Sequence, residues 1–207
     1  MKIFFIALVA IMVVWTLWGY FSSRVEQARY TVVKKANGYE VRDYPAHIVA
    51  QTTVMGPYQD ALNQGFRIIA GYIFGGNKQK QSIAMTAPVT EQKGVPQKIA
   101  MTAPVTATVA GDSHVISFVM PAQYSLETLP VPDDSRVSLV MVTDKKMAVL
   151  RFSWWRSDAR IKQKEVELLA ALAHDDVETA GDPSYAGYNA PWTPPWMMRN
   201  EVMVEIK

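Results

Sequence analysis

The sequence predicts an α+β domain carried behind a single N-terminal membrane helix. Two observations lead there. Residues 3–21 form an uninterrupted apolar run, and the rest reads as runs of β-prone segments broken by two helical stretches. Segregated strands and helices of this kind argue for one curved sheet or barrel, built of two similar halves.

The apolar run Ile3–Phe21 reads IFFIALVAIMVVWTLWGYF, without charge or proline. A helix rises ~1.5 Å per residue, so the run matches the thickness of a bilayer core. Trp15, Trp18 and Tyr20 gather toward its C-terminal end, where aromatic rings favour the headgroup zone. A buried core helix would need a polar face, which is missing. A cleaved signal peptide would need small residues before the cut, and Gly19-Tyr20-Phe21 fits that poorly. No cysteine follows, so a lipoprotein anchor is excluded. The expectation is an uncleaved signal anchor over residues 1–23, in contact with the lipid bilayer. Lys2 on a short N-terminus suggests that this end stays inside, which places the domain on the outer, extracytoplasmic side.

Residues 24–207 fit one domain, long enough to bury a core without staples. The absence of cysteine excludes disulfides, thiolate catalysis and iron–sulfur ligation. Net charge is +2, with basic and acidic residues interspersed, so no nucleic-acid footprint is expected.

Along the domain, TVVKK and YEVRDY flank Ala36-Asn37-Gly38, a hairpin signature. His47–Val54 reads as a strand. Gly56-Pro57 opens a helix on which Leu62, Phe66, Ile69 and Ile73 form one stripe and Ala61, Gly65, Ile68 and Tyr72 a second. That apolar surface is wider than packing on one sheet face requires. Gly75-Gly76 ends the helix. The octapeptide IAMTAPVT occurs at Ile83–Thr90 and again at Ile99–Thr106, the two copies reading as arms of a hairpin-like excursion. Pro88 and Pro104 point to strand edges or loop entry; Ile83, Met85, Ile99 and Met101 would pack inward. Val115–Met120, Arg136–Val142, Met147–Phe152 and Glu201–Ile206 read as strands. Ser157 caps a second helix, Asp158 to about His174, with Ile161, Leu168, Leu169 and Leu172 on one face.

No catalytic motif is present: no G-x-S-x-G, no H-E-x-x-H, no glycine-rich phosphate loop. The histidines His47, His114 and His174 lie far apart and read as ordinary strand and helix-end residues. Glu40, Arg42 and Asp43 read as a solvated face. The anomaly is Pro191–Met198, PWTPPWMM. A loop so apolar must pack on the domain's own core, a flat apolar ligand or the membrane interface. Tryptophan and methionine suit a large polarizable ligand. A cleft between this loop and the wide helix would have the form of a small-molecule site.

The sequence resembles the SOUL family of haem-binding proteins. The resemblance rests on YEVRDYPA (Tyr39–Ala46), the helix ending in Gly75-Gly76-Asn77, IAMTAPV (Ile83–Val89 and Ile99–Val105), FVMPAQY (Phe118–Tyr124), LETLPVPDD (Leu126–Asp134), RFSW (Arg151–Trp154) and AGYNAPWTPP…RNEV (Ala186–Val202). These occur in order across nearly all of Tyr30–Lys207. The resemblance implies a distorted antiparallel β-barrel of two pseudo-symmetric halves flanked by two long helices. It also implies non-covalent binding of haem or another tetrapyrrole. Carried onto this chain, the implied site is Phe66, Ile69, Ala70 and Ile73 facing Pro191, Trp192, Trp196 and Met197; charge alone suggests Arg67 or Arg199 near the propionates. The histidine that some members carry inside Y-E-x-R-x-Y is Asp43 here, a poor ligand for haem iron. The expected function is membrane-tethered tetrapyrrole buffering, transport or sensing, without catalysis. A scaffold lacking a small ligand and a tetrapyrrole-processing enzyme are the alternatives.

Overall fold

The computed structural model describes residues 2–22, 26–80, 82–83, 86–87, 89–93, 113–190 and 192–207. Helix α1 (Lys2–Ser22) has 21 residues and so is ~31 Å long. It leads into β1 (Glu26–Gln27), β2 (Thr31–Lys35), β3 (Glu40–Tyr44) and β4 (His47–Met55). Helix α2 (Tyr58–Ile73) follows, then β5 (Thr86–Ala87), β6 (Val89–Lys93) and β7 (Ser113–Val119). The remainder is β8 (Ser138–Val142), β9 (Lys145–Phe152), helix α3 (Asp158–His174), β10 (Ser184–Gly187), a 3-10 turn (Pro195–Met197) and β11 (Asn200–Glu205).

Nine strands make one antiparallel sheet in the order β2-β3-β9-β11-β10-β6-β7-β4-β8, while β1 and β5 pair in parallel beside it. The sheet curls as a half-barrel with β2 and β8 at its edges. Local chemistry accounts for the joints. The β2–β3 hairpin turns through Gly38, whose φ of +93° suits a residue without a Cβ. Pro57 caps α2 and Gly75, at φ +108°, follows its end. Ser157 accepts a hydrogen bond from the Arg160 amide and starts α3.

Of the first IAMTAPVT copy, Thr86–Ala87 form β5 and Val89–Thr90 begin β6, which lies in the middle of the sheet between β10 and β7. The other arm of the expected excursion falls on residues the structure does not describe. Ile83 packs inward as expected; Met85, Pro88 and the whole second copy lie outside the described residues. Strand β10 was not legible in sequence. It is four residues long, and its sheet position is set by β11 and β6 on either side.

Each long helix covers one wing of the sheet. Helix α2 packs on β4 and β7, joining Leu62, Ile69, Tyr72 and Ile73 to Ile116 and Phe118 in one core cluster. This packing buries Ala61, Leu62, Gly65, Ile69, Tyr72 and Ile73 of its two apolar stripes and leaves Phe66 exposed, so less apolar surface is spare than expected. Gly65 makes the close approach possible, since a Cβ there would lie 2.8 Å from Ile116. Helix α3 seats Ile161, Leu168 and Leu172 over β9 and β11. Leu169 is exposed instead of joining that face.

The other face of the sheet holds a buried ionic cluster, and here the expectation of a solvated face fails. Arg42 is 2 % exposed and Glu201 0 %. The Glu201 carboxylate accepts from Arg42 Nη1 at 3.0 Å, from Arg199 Nε at 2.9 Å and from the Tyr188 hydroxyl at 2.7 Å. Arg42 also donates to Glu40 at 2.9 Å and lies 4.3 Å from the centre of the Tyr30 ring. Arg199 stacks on Tyr188 at 3.8 Å and donates to Gln27 at 2.7 Å. Alternation does put Glu40, Arg42 and Tyr44 on one face of β3. The segment from Gln27 to Tyr30 folds over that face and shuts out water. Burial works against a charged Arg42, but the charge of Glu201 and bonds to Tyr44 and Glu40 outweigh it, leaving its pKa raised.

Three outcomes follow from this packing. Glu201→Gln removes the charge that buried Arg42 and half-buried Arg199 share, leaving Arg42 only Glu40, and should cost roughly 3–5 kcal/mol by chemical denaturation. Gly65→Ala forces Ile116 or the helix to move and should cost about 1–3 kcal/mol in the same assay. Burial raises the pKa of Tyr44, Tyr185 and Tyr188. A raised folded-state pKa stabilises fully below the unfolded value and is lost above it, so stability should fall above about pH 10. The share of tyrosinate absorbance that these three contribute should then rise together with loss of ellipticity, not before it.

Candidate functional site

The residues expected to face a ligand divide by exposure. Ile69 and Ile73 are 0 % exposed, and Ala70 is buried beside them. They brace α2 from beneath and present no surface. Phe66 reaches solvent while its ring lies 5.3 Å from Phe118. In the C-terminal loop, Thr193, Pro194, Pro195 and Met198 are buried, Met197 is half-buried, and Trp192 and Trp196 are 60 % and 40 % exposed. Pro191 lies outside the described residues.

Contacts that fix this loop run to α1 and to the end of β9. The Trp15 indole N–H donates to the Trp192 carbonyl at 2.9 Å, and the Trp15 and Trp196 rings meet edge-on at 5.4 Å. Gly19 is buried against Pro194, so closely that a Cβ there would come within 2.5 Å of the proline ring. On the other side, the Trp154 amide donates to the Pro195 carbonyl at 2.9 Å. Trp154 adopts φ +79°, a left-handed conformation that costs a bulky residue of order 1–3 kcal/mol. Asn200 holds it there: its side-chain amide donates to the Trp154 carbonyl at 2.9 Å and accepts from Tyr185 at 2.6 Å.

The two arginines considered for an anionic ligand are placed differently. Arg199 is committed to Glu201 and Tyr188, which removes it as a free cation. Arg67 is exposed on α2, with its Nε donating to the Asn63 carbonyl at 3.3 Å.

A second concavity was not anticipated. A groove of about 260 Å³ lies between the β1 segment, the β3–β4 corner and the stretch after β7. Its walls include Pro45, Met120, Pro121, Tyr124 and Met141, with Arg29 and His47 at its margin. It falls just below the ~300–1,000 Å³ of enclosed ligand pockets, so it suits the edge of a flat ligand better than the whole of one. His47 Nδ1 lies 2.9 Å from the Pro45 carbonyl oxygen. A carbonyl can only accept, so Nδ1 carries the proton, and in the neutral ring Nε2 keeps its lone pair. Metal-binding histidines are oriented by this type of backbone bond. Among the described residues no acid is paired with Arg29. Asp43, by contrast, is exposed on β3 and offers no imidazole. Sequence held one signal of this groove, the only histidine near the YEVRDYPA segment. What it lacked was the fold that brings Arg29 and Met120 beside it.

The family model described as SOUL heme-binding protein matches residues 25–97 and 91–205. The human protein named Heme-binding protein 2 is 28 % identical over 156 residues, covering 74 % of this chain and 71 % of its own. Its mouse counterpart is 25 % identical over 179 residues, 82 % of each chain. Among solved structures, the EcmrR C-terminal domain superposes with a TM-score of 0.57 at 9 % identity, covering 86 % of this chain and 98 % of that one. A protein described as a hydrolase from Listeria innocua gives 0.53 at 11 % identity, covering 84 % and 94 %. At such identities the structural likeness speaks for the fold alone. The sequence match spans the whole domain behind α1, and on that ground the chain belongs to the SOUL heme-binding protein family.

Proposed function

We propose that this protein binds haem or a related tetrapyrrole non-covalently beside a membrane, as a buffer, carrier or sensor and without catalysis. Family membership across residues 25–205 supports the ligand class. The observation that carries a site is the groove at the β3–β4 corner. It combines an imidazole nitrogen with its lone pair available, thioether and proline walls, and a cation. Those are the three things an iron porphyrin asks of a protein: an axial donor, an apolar face and a partner for its propionates. When bound, haem would supply the iron that His47 ligates. Met120 and Tyr124 would cover the ring edge, and Arg29 would meet a carboxylate.

The helix–loop pair is the second reading. It is favoured by the exposed rings of Phe66, Trp192 and Trp196. Ile69, Ala70 and Ile73 would then only brace Phe66 from beneath, with Met197 beside the tryptophans.

The tether is proposed from α1, which is long and apolar enough to cross a membrane, with a mean hydropathy of 2.3. A C-terminal reporter active in one compartment tests the expected outer placement of the domain.

Soret titration of the full chain in detergent separates the two sites. His47→Ala should abolish the spectral signature of axial imidazole, and Arg29→Ala should weaken affinity about tenfold, the equivalent of ~1.4 kcal/mol. If both variants bind as the parent does while Trp192→Ala with Trp196→Ala abolishes the Soret shift, the loop is the site and the groove is not.

A further inference from the structure

The chain has six tryptophans, in three pairs along the sequence, and contacts link a member of each pair. Trp15 and Trp18 stand one turn apart on α1, Trp154 and Trp155 follow β9, and Trp192 and Trp196 lie on the loop. Three contacts already described tie them together: Trp15 to Trp192, Trp15 to Trp196, and Trp154 to Pro195. Four of the six belong to the domain, and none of those four is buried. Trp154 and Trp155 are 50 % and 53 % exposed, the first held in a strained conformation by Asn200. A strained backbone that displays two large apolar rings to solvent, clamped in place, calls for something that covers them.

We propose that the domain face bearing Trp154, Trp155, Trp192 and Trp196 lies in the headgroup layer of the bilayer that α1 crosses, so that the domain is docked on lipid and not only leashed to it. This rests on the reading of α1 as a membrane span. The depth follows from the contacts. Helix α1 is 21 residues long, ~31 Å, so it has almost no length to spare over a ~30 Å hydrocarbon core. The loop grips it at Trp15 and Gly19. Gly19 and Trp15 lie about 4 and 10 Å along the axis from the helix end, so a spanning α1 carries the loop through the headgroups and its gripped side into the outermost acyl chains. Tryptophan is the side chain enriched in this interfacial zone, where its ring meets acyl chains and its N–H meets water. Lipid is therefore favoured over a protein partner as the occupant: continuity with the span fixes the position, and the residue type fits it.

The native chain has no cysteine, so single labels can be placed in the full-length protein. Nitroxides at Leu8→Cys, Trp155→Cys and Trp192→Cys in proteoliposomes report depth through collision with oxygen against a water-soluble nickel chelate. The proposal expects all three to favour oxygen. If Leu8→Cys is deep while Trp155→Cys and Trp192→Cys collide freely with the nickel chelate, the span stands and the docking proposal falls. It falls also if those two positions are shielded from both reagents, which would place them against protein. If Leu8→Cys itself is water-exposed, the membrane span is wrong and the docking falls with it. Because label sites on the loop replace the rings in question, a second measurement leaves them intact. In Trp18→Phe protein, which keeps the Trp15 contacts, brominated lipid should quench most emission from the five remaining tryptophans; quenching no greater than Trp15 alone would give overturns the proposal.

Discussion

The carboxylate of Glu201 is the point on which the arrangement depends. It is fully buried, and two guanidiniums and a phenol converge on it from three parts of the chain: Arg42 on β3, Arg199 before β11 and Tyr188 after β10. A buried charge is tolerated only when paired and hydrogen-bonded. The pairing therefore fixes β3 against β11 across β9, and it fixes the N-terminal segment through Gln27 and Tyr30. That segment forms one wall of the His47 groove. It also forms the connection to α1. The ionic cluster thus sets both the shape of the groove and the place where the helix meets the domain.

The family motifs acquire a physical meaning from this cluster. Tyr39-Glu40-Val41-Arg42-Asp43-Tyr44 and Arg199-Asn200-Glu201-Val202 lie far apart in sequence but on neighbouring parts of one sheet. Arg42, Arg199 and Glu201 form the ion pairs. Tyr44 accepts from Arg42, and Asn200 holds the Trp154 turn. Most of the recognisable residues are therefore architectural. The groups free to meet a ligand or a membrane, His47, Arg29 and the exposed tryptophans, lie around the periphery of that architecture.

Much of the fold was legible in sequence because local chemistry decides it. The Asn37-Gly38 turn, the Ser157 cap and the Asp158–His174 periodicity each depend on residues within a few positions, and each element formed where expected. Long-range partners were not legible. Arg42 reads as a surface residue from its neighbours alone; only the Gln27–Tyr30 segment folding over it makes it buried. The breadth of α2 read as spare surface because the curl of the sheet, which wraps β4 and β7 around the helix, is a property of nine strands together. In the PWTPPWMM loop Pro194, Pro195 and Met198 turn inward while Trp192 and Trp196 face out, a division that composition could not make.

The proposed uptake of a tetrapyrrole at the groove beside His47 is tested most directly by resonance Raman spectroscopy of the full-length protein with one equivalent of ferric haem, since an iron–imidazole bond has its own vibrational signature. The expected result is a saturable one-to-one complex whose iron carries a histidine ligand that disappears in His47→Ala. A saturable complex with no histidine on the iron, or no saturable complex at micromolar protein, would contradict it.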